Sequence, residues 1–464
     1  MTAENLENVA GRWLAAEPDD DIRAELQALI DGDPDEFAER FDGRLQFGTA
    51  GLRAAVGAGP NRMNRLVVRQ AAAGLARYLL DTDPRATERG VVIGFDARRK
   101  SDVFAADTAR VMAAHGIRAM LFDQYVPTPV VAWSITELDA AAGVVVTASH
   151  NPPADNGYKV YLADGAQIVP PHDAGIAACI DRYDPTAVQL GPDGDQLIGT
   201  VGDELFDAYL AAIPAVRRRP DVAGLPVAYT PMHGVGGATI MRAFTAAGLP
   251  EPIAVTEQFE PDATFPTVSF PNPEEPGAMD LLIQTALSSG AALALANDPD
   301  ADRLAVAIPQ PDGSWRRLGG DEIGWLFADY LLEWTDGADR LVVTTLVSSS
   351  MLGKMATAHG VHSVETFTGF KWIAREVLDR PQLDFVMGYE QALGYLVARR
   401  PLDKECISAA VLFAEMAAAA AADGRTMQGW LDDIEARYGR HVLADASVRM
   451  EADEAAAKVT ARRP

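Results

Sequence analysis

At 464 residues the chain is about three times the ~150 residues of a typical domain, so several cores and more than one domain are expected. Apolar residues make up 48% and charged residues 23%, which excludes both a disordered polyelectrolyte and a small stapled scaffold. The 66 acidic residues against 40 basic ones leave a net charge of -26, a field that repels nucleic acid and anionic membrane surfaces. Neither is expected as a partner, and an anionic small molecule is admitted only where local cations or a metal ion overcome that field. Two cysteines, Cys179 and Cys406, give no disulfide framework, which fits a reducing cytoplasm. Met1 to Leu14 carries Glu4 and Glu7 and no apolar core, so a secretory signal is not expected. The Ala-rich stretch Ser408 to Ala422 contains Glu415 and is too interrupted to span a bilayer.

In chain order, one pattern recurs three times. An apolar run, Val91 to Phe95, predicts a strand, Ser101 to Ala114 a helix, and Ile117 to Phe122 a second strand. The order returns as Val227 to Thr230, Ala238 to Ala247 and Ile253 to Thr256, and again as Arg340 to Leu346, Met351 to Ala358 and Val361 to Thr366. A Gly closes each helix, at Gly116, Gly248 and Gly360, where a left-handed residue can cap the last carbonyls. Strand–helix–strand units imply parallel pairing through right-handed crossovers. Three similar α/β domains are the expectation; one large doubly wound sheet would show the same local pattern. Breaks are expected around Asp181 to Asp203 and Pro309 to Gly320, and after Asp423-Gly424 too little chain remains for another domain of that size.

Two segments carry the strongest chemical signals. Thr147-Ala148-Ser149-His150-Asn151-Pro152 follows the strand Gly143 to Val146, so a hydroxyl sits at the carboxyl edge of a sheet, where α/β proteins place their chemistry. The Gly-x-Ser-x-Gly elbow of acyl hydrolases is absent, and neighbouring side chains such as Ser149 and His150 are not expected to face each other. Asp298-Pro299-Asp300-Ala301-Asp302-Arg303 follows Ala291 to Ala296; in an extended segment its three carboxylates would face one side, an arrangement that calls for a hard divalent cation such as Mg²⁺. An EF-hand is excluded because its sixth position would be Arg303 and its twelfth Pro309. Arg303 suits a phosphate oxygen.

Weaker segments add cations and donors: Phe47 to Arg53, Asn156 to Lys159, Thr368-Gly369-Phe370-Lys371, and Gly388 to Tyr395, in which Glu390 and Gln391 could grip sugar hydroxyls or form a plain hairpin. Gly353-Lys354-Met355 is not a nucleotide P-loop, and Gly234 to Thr239 lacks the last Gly of a dinucleotide fingerprint, so neither ATP nor NAD is expected. The seven histidines show no zinc-ligand spacing.

Taken together and in this order, Phe47 to Arg53, Gly94 to Arg98, Thr147 to Pro152, Asn156 to Lys159, Asp298 to Arg303, Thr368 to Lys371 and Glu390 to Gly394 resemble the α-D-phosphohexomutase family of phosphoglucomutases and phosphomannomutases. Pro271 to Pro276 and Thr368 to Trp372 most resemble its branch of actinobacterial-type phosphomannomutases and phosphopentomutase-like enzymes. The resemblance implies an isomerase with a phosphoserine at Ser149 and a sugar 1,6-bisphosphate as intermediate and activator. It implies Mg²⁺ held by Asp298, Asp300, Asp302 and the Ser149 phosphate. Lys159 and Arg53 become proton-transfer or phosphate-stabilising groups, and Glu390 a ligand of adjacent sugar hydroxyls opposite Thr368, Gly369 and Lys371. It divides the chain into domains at 1–203, 204–318 and 319–424, α/β with mixed, largely parallel sheets, followed by 425–464 as the start of a fourth, α+β domain.

Two departures bear on substrate and turnover. Members with a Ser two places after the sugar-binding Glu use its hydroxyl, and Ala392 stands there, as in the pentomutase-like branch. The family's Arg-x-Ser-Gly-Thr-Glu-Pro loop, which grips the phosphate not being transferred, has no counterpart before Pro464. The leading expectation is interconversion of hexose 1- and 6-phosphates. Phosphopentomutase activity comes second, and third a phosphosugar-binding protein or weak phosphatase without full turnover. The oligomeric state is not legible.

Overall fold

The structure, a computed structural model, describes residues 3–443. Each expected strand–helix–strand unit forms, and each closes in the same way. Gly116, Gly248 and Gly360 adopt φ of 74°, 71° and 63°. The next amide in each case reaches back to a carbonyl of the last helical turn: Ile117 to Met112, Leu249 to Phe244 and Val361 to Ala356, at 2.9–3.0 Å. That closure uses Ile117 and Val361, so the strands begin later than expected, at Ala119 and His362. Thr256, expected to end a strand, instead opens a short helix.

Fifteen strands form three mixed sheets among the described residues. The first contains β1 (Leu52–Ala55), β2 (Val91–Phe95), β3 (Ala119–Phe122), β4 (Ala142–Val146), β5 (Asp155–Leu162) and β6 (Ile198–Val201), in the order β1-β5-β4-β2-β3-β6. The second contains β7 (Val227–Thr230), β8 (Ile253–Ala254), β9 (Leu293–Asn297), β10 (Leu304–Pro309) and β11 (Trp315–Arg317), ordered β11-β10-β9-β7-β8. The third is β13-β12-β14-β15, from β12 (Arg340–Thr345), β13 (His362–Thr366), β14 (Asp384–Glu390) and β15 (Gly394–Leu396). Seven pairings are parallel and five antiparallel, so the sheets are mixed with a parallel majority.

A common plan underlies the three sheets. In each, the first strand of the repeat (β2, β7, β12) is flanked by the second and the third in parallel. The third strand (β4, β9, β14) then turns back into an antiparallel partner (β5, β10, β15). The three turns so made hold Ser149, the Asp triad and the Glu390–Gly394 segment. Each contains a non-glycine residue in the left-handed region, Ser149 at φ 51°, Ala301 at 57° and Leu393 at 64°. A tight reversal after a buried parallel strand forces that conformation, which side chains adopt only when the surroundings hold them there.

The inner strands are apolar on both faces because helices cover both, whereas edge strands such as β13 are largely exposed. Every residue of β2, β4, β7 and β9 is buried. The helix Arg65–Thr82 starts where Asn64 accepts from the Val67 amide at 3.0 Å, and buries Ala71, Ala72, Ala73, Leu75 and Ala76. Three N-terminal helices, Ala3–Ala16, Asp20–Ile30 and Pro34–Phe41, pack on this first unit through Trp13, Ile22, Leu26, Phe37 and Phe41. At their junction Glu17 is 2% exposed, and burial pushes its carboxyl up to about 7.

The second and third sheets share one core, built around the Ala-rich helix Cys406–Ala422. Its Glu415, fully buried, accepts from Arg217 Nε at 2.7 Å, the Arg218 amide at 2.6 Å and Tyr330 Oη at 2.8 Å. A charge paired in this way pins the helix to the chain entering the second unit. No single helix among the described residues is long and apolar enough to cross a membrane. The helix Met427–Tyr438, in the segment assigned to a fourth domain, packs on the third unit: Trp430 Nε1 donates to Asp329 at 2.8 Å, and Ile434 is buried in the shared core. The remainder of that segment, 444–464, lies outside the described residues.

Candidate active site

Ser149 is 2% exposed at the carboxyl end of β4, in a turn that other side chains hold in shape. Thr147 Oγ1 accepts from the Ser149 amide at 2.8 Å. Beneath the turn, the buried Arg98 guanidinium donates to the carbonyls of Ser149 and Asn151 at 2.6 Å, Pro152 at 2.8 Å and Asp155 at 3.1 Å. A planar fork of five donors is the side chain able to satisfy four converging carbonyls. The sequence marked the Gly94–Arg98 segment without assigning Arg98 this task, because carbonyl contacts leave no trace in side-chain spacing.

The Ser149 hydroxyl has two neighbours. It donates to Asp298 Oδ2 at 2.8 Å and lies 3.1 Å from His150 Nδ1. The second contact corrects the expectation that adjacent side chains would point apart; the positive φ of Ser149 swings both to the same side. Burial, with Arg303 and Arg53 nearby, pushes the His150 imidazole down to about 3, so it is neutral at physiological pH.

The three aspartates do not lie on an extended segment as expected. They occupy the turn between β9 and β10, where Ala301 takes its positive φ and the chain curls all three carboxylates inward. One oxygen of each lies within 4.8 Å of the others, and all three residues are fully buried. The glycine-rich stretch after β7 makes room for this turn. A Cβ on Gly234 would meet Pro299 backbone at 2.3 Å, and Val235 donates its amide to the Pro299 carbonyl at 2.8 Å. The segment that failed as a dinucleotide motif is therefore a packing surface for the triad.

Lys159 Nζ donates to Asp300 Oδ2 at 2.6 Å and Asp302 Oδ2 at 2.8 Å, and Lys404 Nζ to Asp302 Oδ2 at 2.7 Å. Burial alone would raise both carboxyls, but the two lysines outweigh it and hold Asp300 and Asp302 below the usual range. Burial likewise opposes the Lys159 charge, yet Asp300 and Asp302 hold its ammonium above its ordinary value. Among the described residues no lysine touches Asp298; burial and its two acidic neighbours push it up to about 8. Asp300 Oδ1 and Asp302 Oδ1 are buried without a hydrogen-bond partner among the described residues. Three buried carboxylates whose oxygens converge, with one oxygen each of Asp300 and Asp302 unsatisfied, fit a hard divalent cation.

The other expected residues fall around this centre. Arg53 Nη1 donates to Asn151 Oδ1 at 3.0 Å beside the serine turn. The Arg303 amide donates to Asp298 Oδ1 at 3.0 Å, and its guanidinium reaches Glu274 at 3.3 Å and His150 Nε2 at 3.5 Å. Glu390, buried at the end of β14, accepts from the Gly369 amide at 2.7 Å; burial raises its carboxyl. Gly369 has φ 114°, and Lys371, two residues on, donates to Thr49 Oγ1 at 2.7 Å, which ties the third unit to the Phe47–Arg53 segment of the first. Thr368, next to Gly369, is exposed. Glu390 and Gln391 do sit in a hairpin, and the Gln391 amide oxygen accepts from Ser348 at 3.1 Å. Sequence reasoning missed Lys404. Its neighbours Asp403 and Glu405 make it read as a solvated charge, and only folding brings it 102 positions back to Asp302.

Comparison with known proteins agrees with this architecture. Models of the phosphoglucomutase/phosphomannomutase α/β/α domains I, II and III match residues 44–187, 207–313 and 319–438. The chain is 43% identical over 392 residues to a "Probable phosphomannomutase" of Haemophilus influenzae, covering 84% of this chain and 79% of that one. It is 36% identical to the phosphopentomutase of Homo sapiens, covering 94% and 76%. A crystal structure of a "putative phosphomannomutase" from Thermus thermophilus superposes with a TM-score of 0.71 at 25% identity, covering 86% and 84%. The chain belongs to the phosphoglucomutase/phosphomannomutase family, and is an isomerase and phosphotransferase of carbohydrate metabolism.

Proposed function

We propose that this enzyme moves a phosphoryl group between C1 and the terminal carbon of an aldose phosphate, using Ser149 as the phosphoryl carrier. The observation that supports it best is the Ser149 hydroxyl lying 2.8 Å from Asp298, at the edge of a buried carboxylate triad. In the proposed cycle the bond from phosphorus to Ser149 Oγ breaks as a sugar hydroxyl oxygen bonds to phosphorus, and the hydroxyl proton passes to the serine oxygen. The bisphosphorylated sugar turns over and returns its other phosphoryl group to Ser149. Asp298, Asp300 and Asp302 would hold Mg²⁺ with the Ser149 phosphate; the ion supplies charge neutralisation of the transferring group.

The chain's own residues do the positioning. Lys159, held charged by Asp300 and Asp302, favours phosphate stabilisation over the role of base. Arg53 and Arg303 offer further donors beside the serine turn. Glu390 presents a carboxylate to sugar hydroxyls beside Gly369 and Lys371, where either orientation of the sugar can be gripped.

The first substrate reading is a hexose 1- and 6-phosphate pair, in line with the phosphomannomutase name of the Haemophilus relative. A second reading, a pentose 1- and 5-phosphate pair, is favoured by Ala392 and by the human phosphopentomutase match. Phosphorus NMR of the chain with Mg²⁺, a trace of glucose 1,6-bisphosphate, and either α-glucose 1-phosphate or α-ribose 1-phosphate tests both. The terminal phosphate ester is expected with the native chain and not with Ser149→Ala. Release of inorganic phosphate without isomer, or isomerisation by Ser149→Ala, would overturn the reading.

A further inference from the structure

A cleft of about 210 Å³, lined by residues of all three units, opens away from the triad. Asp384 to Val386, at the start of β14, line it, whereas Glu390 ends that strand. Seven residues of strand put the two sites roughly 20 Å apart. Its walls mix apolar and polar groups: Trp133 and Tyr209, which meet edge to face with ring centroids 5.8 Å apart, line it together with Phe385 and Val397.

Three guanidinium groups rim these walls, in a chain whose net charge is -26. Arg400 is partly committed, since it donates to Thr136 Oγ1 at 2.6 Å, pairs with Glu137 at 3.3 Å and stands 5.9 Å from the Trp133 ring. Arg399 spends one donor on the Leu383 carbonyl at 3.1 Å and forms no ion pair among the described residues. Arg218 also forms none, and its Nε is buried with no partner. The acid on the rim is Asp384, which is exposed. Two unneutralised forks above an aromatic floor match one ligand chemistry, in which the forks meet an anionic group and the rings cover an apolar body.

We propose that this cleft is a binding site for a compact organic anion with an aromatic body, separate from the phosphosugar site. Val397 to Arg400 lead directly into Asp403 and Lys404, and Lys404 pairs with Asp302, so an occupant grips the same segment that reaches the triad.

Isothermal titration of the full chain with 1-naphthalenesulfonate tests the proposal, with excess glucose 1-phosphate present to fill the phosphosugar site. Binding at one site per chain is expected, with uncharged 1-naphthalenemethanol at least tenfold weaker. Arg218→Ala/Arg399→Ala should weaken the sulfonate by about tenfold or more, while Arg182→Ala leaves it unchanged. Ala398→Phe, which fills the cleft without touching a charge, should abolish binding and serves as the second variant should the double one fail to fold. No saturable heat, equal binding of the alcohol, or native affinity in Ala398→Phe would overturn it.

Discussion

Ser149 Oγ donates to Asp298 Oδ2 at 2.8 Å, a contact that joins the turn after β4 to the turn after β9 across 149 positions of chain. The hydroxyl thereby rests on the one member of the triad that, among the described residues, no lysine touches, whereas Asp302 carries two. The two aspartates should respond differently to substitution. Asp302→Ala leaves the Lys159 and Lys404 ammonium groups buried and short of a partner, and is expected to lower stability by about 3–5 kcal/mol. Asp298→Asn keeps an oxygen for the Arg303 amide and turns its NH2 toward Ser149, whose hydroxyl can accept it and donate to His150 Nδ1 instead, so the variant should stay within about 1–2 kcal/mol of the native chain. Both should weaken Mg²⁺ binding. Urea unfolding in EDTA and Mg²⁺ titration calorimetry check this; equal destabilisation by the two variants would show that the lysines are not what stabilises Asp302.

The Ser149 turn depends on Arg98, a positioning residue that donates to four of its carbonyls. Arg98→Lys keeps the charge but has a single nitrogen to place among them. A loss of about 2–4 kcal/mol is expected, from carbonyls left buried and unpaired. Phosphorylation of Ser149 by glucose 1,6-bisphosphate, followed by mass spectrometry, should slow more than bisphosphate binding weakens. A lysine variant with native stability and phosphorylation rate would refute the role.

Glu17 gives the N-terminal helices a pH dependence of known sign. Its carboxyl titrates near 7 in the fold against 4.5 in the unfolded chain, so the native state holds the extra proton between those values. Stability from this group is full below about 4.5 and is lost as pH rises through about 7. The difference amounts to about 3 kcal/mol. Glu17→Gln, still able to accept from the Asp19 amide, is expected to raise the unfolding midpoint at pH 8 and leave it unchanged at pH 4.5. Thermal unfolding at the two pH values checks the sign; a gain at pH 4.5 would reverse the argument.

At the sugar end, Ala392 follows Glu390 by two positions in the turn before β15. Ala392→Ser restores a hydroxyl there. The kcat/KM ratio of glucose 1-phosphate to ribose 1-phosphate is expected to rise by about tenfold, the worth of one hydrogen bond formed with the larger sugar. An unchanged ratio would place sugar discrimination elsewhere.

Much of this was written locally. Apolar runs of strand length, helices closed by Gly116, Gly248 and Gly360, and chemistry-bearing segments after the strands that became β4 and β9 all depend on neighbours within a few residues, so the sequence alone displayed the three α/β units and the Ser149 and Asp298–Asp302 segments. The start of β3 was misjudged because Ile117 is apolar enough for a strand, yet its amide is taken by the helix before it.

Only the tertiary structure decided how those segments meet. That the carboxylates converge in a turn rather than on a strand depends on the left-handed Ala301 and on the space that Gly234 leaves for Pro299, a contact between segments far apart in the chain. Lys404 and Arg98 are chemically ordinary in sequence; Lys404 faces Asp302 and Arg98 the serine turn because packing carries them there. A residue's type sets which interactions it can make, but burial and long-range geometry set which it does make, and in this enzyme those long-range contacts bring the three turns of one repeated plan around a single triad.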